Sequence, residues 1–142
     1  METFTNDQLT FEVRDAGPRR ADADHTVVLL HGFPQSPAAW DAVVLVYTHL
    51  PSAIRAAAHQ RLAAGLAPGG WLVLEAFHPE QLRHHSGGPK DPDMLCTPQQ
   101  LDADWAGLVN PVLSWHGETV LDEGPGHQGL AHVTRWVGQR AA

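Results

Sequence analysis

The chain has 142 residues, 43% of them hydrophobic and 18% charged, which is the size and composition of one globular domain. A formal net charge of −7, without a basic cluster, makes it a poor candidate for binding nucleic acid or an anionic membrane. The single cysteine, Cys96, excludes an intramolecular disulfide, and the acidic, polar N-terminus lacks a signal-peptide pattern, so we expect a cytoplasmic protein.

The first half of the chain predicts three strands and one long helix. Residues 9–13 alternate apolar and polar side chains, as in a half-buried strand, whereas residues 25–30 and 42–47 are β-branched, apolar runs typical of strands buried on both faces. Residues 51–66 are rich in alanine and predict a helix that Pro68-Gly69-Gly70 terminates. The predicted core face of this helix consists of Ile54, Ala58 and Leu62.

The second half predicts a further strand, a helix and a terminal hairpin. Residues 71–77 predict a buried strand, and residues 78–96 form a polar connection long enough to be functional or disordered. A capping box, TPQQ at residues 97–100, begins a helix. The predicted core stripe of this helix is Leu101, Trp105 and Leu108.

The terminal hairpin is predicted from residues 112–120 and 132–137, which form an antiparallel pair. Between them, residues 124–129 (GPGHQG) match G-x-G-x-x-G in letters, but a strand rather than a helix follows, which favours a hairpin turn. The whole order of elements predicts the α/β class in a single domain, residues 1–142. We expect a Rossmann-like, mostly parallel sheet with helices on its faces and a C-terminal antiparallel hairpin.

Residues 5–42 carry a first family resemblance. FEVRDAG, HTVVLLHGFPQS and Trp40 resemble the start of an α/β-hydrolase of the kind that includes epoxide hydrolases and haloalkane dehalogenases. The resemblance implies that His31, Gly32 and Phe33 form an oxyanion loop, with the Phe33 backbone N–H as the donor. The alternative is that HGFP is a plain strand exit and turn. No serine or aspartate lies in the required nucleophile elbow, so a residual hydrolase is the least favoured function.

A second resemblance covers residues from about 40 to 140. DAVVLVYTHLP, LAPGGWLVLEAF, EQL…SGGPKDPDMLCT and LDEGPGHQGLAHVTRWVGQR resemble, in order, the C-terminal half of a class I S-adenosylmethionine-dependent methyltransferase near the tellurite-resistance and thiopurine branch. The resemblance implies that residues 42–47 and 71–77 are the fourth and fifth strands of that fold, followed by its sixth and seventh in the hairpin. The chain then resembles a chimera of a hydrolase-like segment, residues 1–42, and a methyltransferase-like segment, residues 43–142.

The methyltransferase resemblance also implies a site. In such folds the cofactor lies across the carboxyl ends of the strands. The matching cofactor-binding positions are Tyr47, Thr48 and His49; Glu75 and His49 are the candidate catalytic residues, and residues 86–90 would be a substrate-side flap. The glycine-rich cofactor loop of the family precedes the fourth strand, where this chain has HGFPQS instead. We therefore expect S-adenosylmethionine binding to be weak or lost, and catalysis to rank below binding.

The strand at residues 25–30 is expected beside residues 42–47, in the place of the family's first strand. Residues 32–41 would make the crossover, and ten residues are at the short limit for a right-handed parallel connection. The alternative is that the N-terminal segment pairs elsewhere or stays loosely attached.

Other residues have weaker functional interpretations. His78, His84 and His85 lie in a polar loop without the fixed ligand spacing of a metal site, so no metal is expected. Cys96 is expected to be a small buried residue rather than a nucleophile.

Two functional hypotheses thus stand beside the residual hydrolase. The first is an incomplete methyltransferase-like protein with a small-molecule substrate. The second is a non-enzymatic module that binds or neutralises a partner protein. Core packing is the default for the tryptophans, but Trp115 and Trp136 on the hairpin could form an exposed patch for such a partner.

Overall fold

The computed structural model describes residues 2–6, 9–13 and 26–30 as backbone strands, and residues 40–124 and 126–142 with their side chains. The strands are β1 Glu2–Asn6, β2 Leu9–Val13, β3 Thr26–Leu30, β4 Trp40–Val46, β5 Leu66–Phe77, β6 Asn110–Asp122 and β7 Gln128–Gln139. The helices are α1 Ser52–Ala64, α2 Pro98–Asp104 and two short 3-10 helices, Pro79–Arg83 and Pro92–Met94. Among these described residues, no helix combines the length and apolar character needed to cross a membrane.

Five strands form one mixed sheet in the order β3-β4-β5-β7-β6, while β1 and β2 form a separate antiparallel pair. β4 and β5 are parallel, and β6 and β7 form the C-terminal antiparallel hairpin beside β5. The α/β class and the terminal hairpin are therefore confirmed. The sheet is less parallel than expected, because β4–β5 is the one parallel pairing among the described strands.

β3 lies beside β4, as expected, but runs antiparallel to it. Thr26 pairs with Val46 and Leu30 pairs with Ala42, so β3 ends level with the start of β4. The expected parallel arrangement is wrong for a physical reason. Only residues 31–39 connect the two strands, and a parallel crossover normally takes about a dozen residues or more, whereas an antiparallel neighbour can follow a short connection.

Alternate residues of β4, β5 and β7 meet α1 and α2 in one apolar core. Its buried members are Val43, Leu45, Ala63, Leu66, Leu72, Leu74, Ala76, Cys96, Leu101, Trp105, Val109 and Trp136. Because successive side chains of a strand point to opposite faces, the intervening residues of these strands point away from the helices. In the described part of the chain, both α-helices therefore lie on the same face of the sheet.

We call the opposite face of the sheet the open face. It consists of three rows of paired residues: Ala42, Trp71 and Gln139; Val44, Val73, Val137 and Leu113; and Val46, Glu75, Arg135 and Trp115. Several large apolar side chains of this face are exposed, among them Trp71 at 40% and Leu113 at 44%. Apolar side chains gathered on one exposed face are a feature of surfaces that bind a partner.

α1 begins and ends within two residues of the prediction, but its core face is different. Ile54 is 52% exposed, whereas His59 and Ala63 are buried. Arg55 Nε and His59 Nδ1 each lie 2.8 Å from Asp104 Oδ2 of α2. The predicted stripe is correct for Leu62, which packs against the core, and wrong for Ile54. A buried polar network, which a count of apolar residues overlooks, turns the side of the helix with His59 toward α2.

The Pro68-Gly69-Gly70 segment, expected to separate helix and strand, lies inside β5. The Gly69 N–H donates to the Arg140 carbonyl, and the Arg140 N–H donates to the Gly70 carbonyl. Gly69 has a φ of 75°, and a Cβ at Gly70 would come within 2.9 Å of the Trp40 carbonyl oxygen, so glycine is favoured at both positions. The C-terminal residues thus supply pairing partners that a local interpretation cannot include.

α2 begins as predicted. The Gln100 N–H donates to Thr97 Oγ1, and the Thr97 N–H donates to Gln100 Oε1, which completes the capping box. Leu101 and Trp105 are fully buried, but the helix ends at Asp104 and Leu108 is 38% exposed beyond it. The stripe is therefore correct for its first two members and wrong for the third.

Candidate functional site

The implied cofactor residues leave β4 together at its carboxyl end. Tyr47, Thr48 and His49 directly follow β4, which runs parallel to β5. The Tyr47 N–H donates to the Glu75 carbonyl at 2.8 Å, so Tyr47 continues the pairing with β5. Its φ of 48° is a left-handed conformation that is uncommon outside glycine, and it turns the chain away from the sheet at this point.

Tyr47 is buried among aromatic rings. Its ring stacks on Phe77, with centroids 4.7 Å apart, and meets His127 edge-on at 4.8 Å. Its hydroxyl donates to Glu75 Oε1 at 2.8 Å. Burial, and then the hydrogen bond to Glu75, raise the pKa of the phenol well above its ordinary value. Tyr47 is therefore a protonated donor that packs within the protein.

Glu75 lies on the open face with both carboxylate oxygens engaged. Oε1 accepts from Tyr47 and Oε2 accepts from Arg135 Nε. The Arg135 guanidinium lies over the ring of Trp115, 5.6 Å from its centroid. A general base must reach the proton that it abstracts. Tyr47 and Arg135 therefore hold the Glu75 carboxylate in place, and each of its oxygens keeps a second lone pair with which to accept.

His49 is buried, and its Nδ1 lies 3.1 Å from the Met94 carbonyl oxygen. Because a carbonyl only accepts, Nδ1 carries the proton in the neutral ring and Nε2 is the basic nitrogen. The ring is parallel to that of Phe77, with planes at 6° and centroids 5.7 Å apart. His49 therefore has the tautomer of a proton acceptor at Nε2.

Thr48 differs from both neighbours. Its Oγ1 is buried and has no hydrogen-bond partner among the described residues. A buried hydroxyl left unpaired costs about 1–3 kcal/mol. Of the three implied cofactor residues, Thr48 is thus the one whose side-chain oxygen has no hydrogen-bond partner in the described part of the protein.

Residues 86–90, the implied flap, are tied to the terminal hairpin. Ser86 is buried, and its Oγ donates to the Leu130 carbonyl at 2.7 Å. Gly88 has a φ of 82°, and a Cβ there would come within 2.6 Å of the Phe77 ring. The loop therefore packs closely over the residue that ends β5.

The two ends of β3 lie at opposite edges of the sheet. β3 begins opposite Val46, beside the carboxyl end of β4, and ends opposite Ala42 at the other edge of the sheet. The chain therefore leaves β3 at the edge farther from the implied cofactor residues. The oxyanion-loop-like residues His31, Gly32 and Phe33 lie outside the described residues.

A group of ionisable residues lies between the terminal hairpin and the 3-10 helix Pro79–Arg83, and sequence reasoning weighed His78 and His84 but missed the members on the hairpin. We call His78, His84, His116, Glu118 and His132 the histidine cluster. Ligand atoms of His84, Glu118 and His132 lie within 4.8 Å of one another, as do those of His78, His116 and His132. The signal was the hairpin register: Glu118 pairs with His132, and His116, two residues earlier, points to the same face.

The histidine cluster is also electrostatically distinctive. Burial, followed by the nearby imidazoles of His116 and His132, lowers the pKa of His78 to about 4. Burial, followed by His116, likewise lowers the pKa of His132. Both rings are therefore neutral at pH 7.

Cys96 and Trp136 are core residues. Cys96 is buried, and burial raises the pKa of its thiol to about 12, so the expectation of a buried thiol that is not a nucleophile is confirmed. Trp136 is fully buried, and its Nε1 donates to Asp102 Oδ1 at 2.7 Å. Trp115 alone of the two hairpin tryptophans is exposed, at 39%, so they do not form a joint patch.

Comparisons with known proteins find partial structural likenesses. No protein-family model matches the chain, and no curated protein matches it. The chain is similar to the N-methyltransferase NodS from Bradyrhizobium japonicum WM9 (14% identity, TM-score 0.47, covering 76% of this chain and 55% of that one). It is also similar to an S-adenosylmethionine-dependent methyltransferase from Methanosarcina mazei, with 15% identity and a TM-score of 0.48. That likeness covers 73% of this chain and 60% of the other. It is similar as well to a solved structure that concerns the conversion of a disulfide bond into a thioacetal group during echinomycin biosynthesis. Here the identity is 13% and the TM-score 0.47, over 72% of this chain and 49% of the other.

The chain thus spans between 49% and 60% of the length of these three solved structures. Likenesses at this identity and TM-score do not establish function.

Proposed function

We propose that this chain is a methyltransferase-like domain that binds S-adenosylmethionine weakly, at the carboxyl ends of β4 and β5, with methyl transfer slow or lost. The observation that carries the proposal is the buried hydroxyl of Thr48, which has no hydrogen-bond partner among the described residues and lies at the end of a parallel strand pair. This end of β4 is where the sequence resemblance implies the cofactor. The strand order β4-β5-β7-β6 and the antiparallel terminal hairpin further support the proposal.

Thr48 suits a polar ligand. The energetic cost of its unpaired hydroxyl is removed when a bound molecule supplies a hydrogen-bond partner. S-adenosylmethionine carries amine, carboxylate and ribose hydroxyl groups that could serve, and when bound it provides an electrophilic methyl group. Thr48 would help to hold the cofactor, and His49 Nε2 would be the basic nitrogen nearby in the chain.

Three features make the binding weak. The sequence has no G-x-G-x-G loop after residues 25–30, and the chain leaves β3 at the edge of the sheet away from Thr48. Tyr47 is already engaged with Glu75 and Phe77 and offers its side chain to no ligand without rearrangement. Because a methyltransferase accelerates its reaction largely by positioning two substrates, a loosely held cofactor removes most of the rate.

Isothermal titration with S-adenosylmethionine tests this proposal. We expect one binding site with a dissociation constant on the order of 1 mM. Thr48→Val should weaken binding further, and the same substitution at Thr119, on β6, should leave it unchanged. Absence of binding at millimolar cofactor, or equal binding by both variants, would contradict the proposal.

The open face favours a second candidate function, a non-enzymatic module that binds a partner protein. Its exposed apolar residues include Trp71, Leu113 and Trp115, together on one side of the sheet. Trp71→Lys should then abolish capture of a partner from lysate while leaving the fold intact by circular dichroism. A chain that is monomeric on gel filtration and captures no protein would count against this function.

A further inference from the structure

We propose that His84, Glu118 and His132 form a binding site for one divalent metal ion of the zinc class. Each offers one ligand atom, and these atoms all lie within 4.8 Å of one another. Two imidazoles and one carboxylate are ligands that zinc prefers, and three protein ligands leave a fourth position open. None of these three residues belongs to the proposed cofactor site.

The three ligands come from three different elements that the hairpin register and one loop bring together. Glu118 of β6 is directly paired with His132 of β7, so their side chains leave the same face of the hairpin as neighbours. His84 directly follows the 3-10 helix Pro79–Arg83. Its Nε2 lies 3.5 Å from Glu118 Oε1. Tetrahedral ligand atoms about 2.0–2.1 Å from zinc are about 3.3 Å apart, so this pair already has a suitable separation.

Gln81 holds two of the three ligands in place. Its Oε1 accepts from the His132 N–H at 2.7 Å, and its backbone carbonyl accepts from the His84 N–H at 2.9 Å. Its Nε2 donates to Ser86 Oγ at 3.0 Å and to the Gly87 carbonyl at 3.1 Å. Gln81 is only 1% exposed, so this support is rigidly packed. Gln81 thus fixes the backbone of both histidines and with it the points from which their side chains extend.

The alternative set of ligands, His78, His116 and His132, is less suitable. The rings of His78 and His116 are stacked, with centroids 4.2 Å apart and planes at 6°. The lone pair of an imidazole nitrogen lies in the plane of its ring, so two parallel stacked rings cannot both direct a nitrogen at one ion without turning. His116 Nδ1 lies 3.0 Å from His132 Nε2, a separation that would itself suit tetrahedral ligands, so the stacking of His78 on His116 is what makes this set less suitable.

The ligand set also determines what the site can do. Glu118 is largely exposed, with 59% of its side chain accessible, whereas His84 is 16% accessible. An ion here would therefore face solvent on the Glu118 side and keep water in its open position. Such a site binds zinc reversibly and makes the stability of the hairpin depend on the metal.

Equilibrium dialysis of the full chain, free of any affinity tag, against zinc provides the test. We expect one zinc ion per chain, and for cobalt(II) a visible absorption band typical of tetrahedral coordination. Glu118→Gln and His84→Ala should each weaken binding at least about tenfold. His85→Ala removes an exposed histidine next to His84 and should leave affinity unchanged.

Several results would overturn the proposal. One is a wild-type chain that binds no zinc, or that binds it as tightly with Glu118→Gln and His84→Ala. Another is loss of binding in His78→Ala with retention in His84→Ala, which would assign the ion to the stacked set. If His132→Ala fails to fold, the exposed Glu118 still decides the question, because Glu118→Gln alters a charge without removing buried contacts.

Discussion

Replacing Thr48 by valine should make the ligand-free protein more stable. Valine keeps the branched shape of threonine and removes a hydroxyl that is buried without a partner among the described residues. An unpaired buried hydroxyl costs about 1–3 kcal/mol, so Thr48→Val should raise the free energy of unfolding by about 1 kcal/mol or more.

The same substitution at Thr134 is a matched control with the opposite expected sign. Thr134 is fully buried, and its Oγ1 donates to the Cys96 carbonyl at 2.7 Å. Thr134→Val removes that bond and leaves the carbonyl without this donor, so it should lower the free energy of unfolding by about 1–3 kcal/mol. Threonine to valine is thus expected to raise the free energy of unfolding at position 48 and to lower it at position 134. The difference is the hydrogen bond that the hydroxyl of Thr134 makes.

Urea unfolding measures both effects. With m at about 1–3 kcal/mol/M for small proteins, Thr48→Val should raise the midpoint by roughly 0.5 M at unchanged m. Adding S-adenosylmethionine should then stabilise the wild type more than Thr48→Val, because a ligand stabilises only the state that binds it. If Thr48→Val destabilises the protein as much as Thr134→Val does, the Thr48 hydroxyl is bonded and the reasoning about the site is refuted.

Three further outcomes follow from buried groups. Burial outweighs the hydrogen bond to Asp104 and lowers the pKa of His59 below its usual 6.5. The His59 ring therefore stays neutral in the folded protein while the same ring in the unfolded chain takes up a proton, so stability should fall as the pH drops below about 6.5. NMR titration of the His59 ring checks this prediction, and a titration midpoint above 6.5 would contradict it. The Cys96 thiol, with a pKa raised to about 12, should react with iodoacetamide only on unfolding, and rapid labelling of the native protein would show it to be accessible. Gly88→Ala should lower the free energy of unfolding, measured in urea, by about 1 kcal/mol or more. The reason is that Gly88 has a φ of 82° and that a Cβ there would approach Phe77 within 2.6 Å. An unchanged urea midpoint would mean that the loop moves freely.

Much of the fold was predictable because local patterns carry it. The strands at residues 42–47 and 71–77, the helix after Pro51 and the capping box at Thr97 follow from runs, periodicity and caps that act over a few residues. A hairpin turn within residues 124–129 was also predictable, because the strand-forming residues after it decide against a helix, although β7 already begins at Gln128. A buried Cys96 followed from the absence of a basic activator nearby in sequence.

The candidate sites were predictable only in part. The sequence resemblance picks out Tyr47, Thr48 and His49 as a group, yet only the structure distinguishes Thr48, whose hydroxyl lacks a partner among the described residues, from Tyr47, whose hydroxyl is bound to Glu75. Hydrogen-bond satisfaction depends on atoms far apart in the chain, which a local pattern does not record.

Sequence alone therefore determined the α/β fold class, the acidic character of the protein and most of its helices and strands, because residue propensities and the alternation of apolar and polar residues act locally. Tertiary structure decided the direction of β3, since the short connection of residues 31–39 suits an antiparallel neighbour, and with it the edge at which the chain leaves that strand. It also decided that His84, Glu118 and His132 are neighbours. Their proximity arises from the register of two strands and the anchoring of a loop by Gln81, and pairing across such distances is set by the packing of the whole sheet.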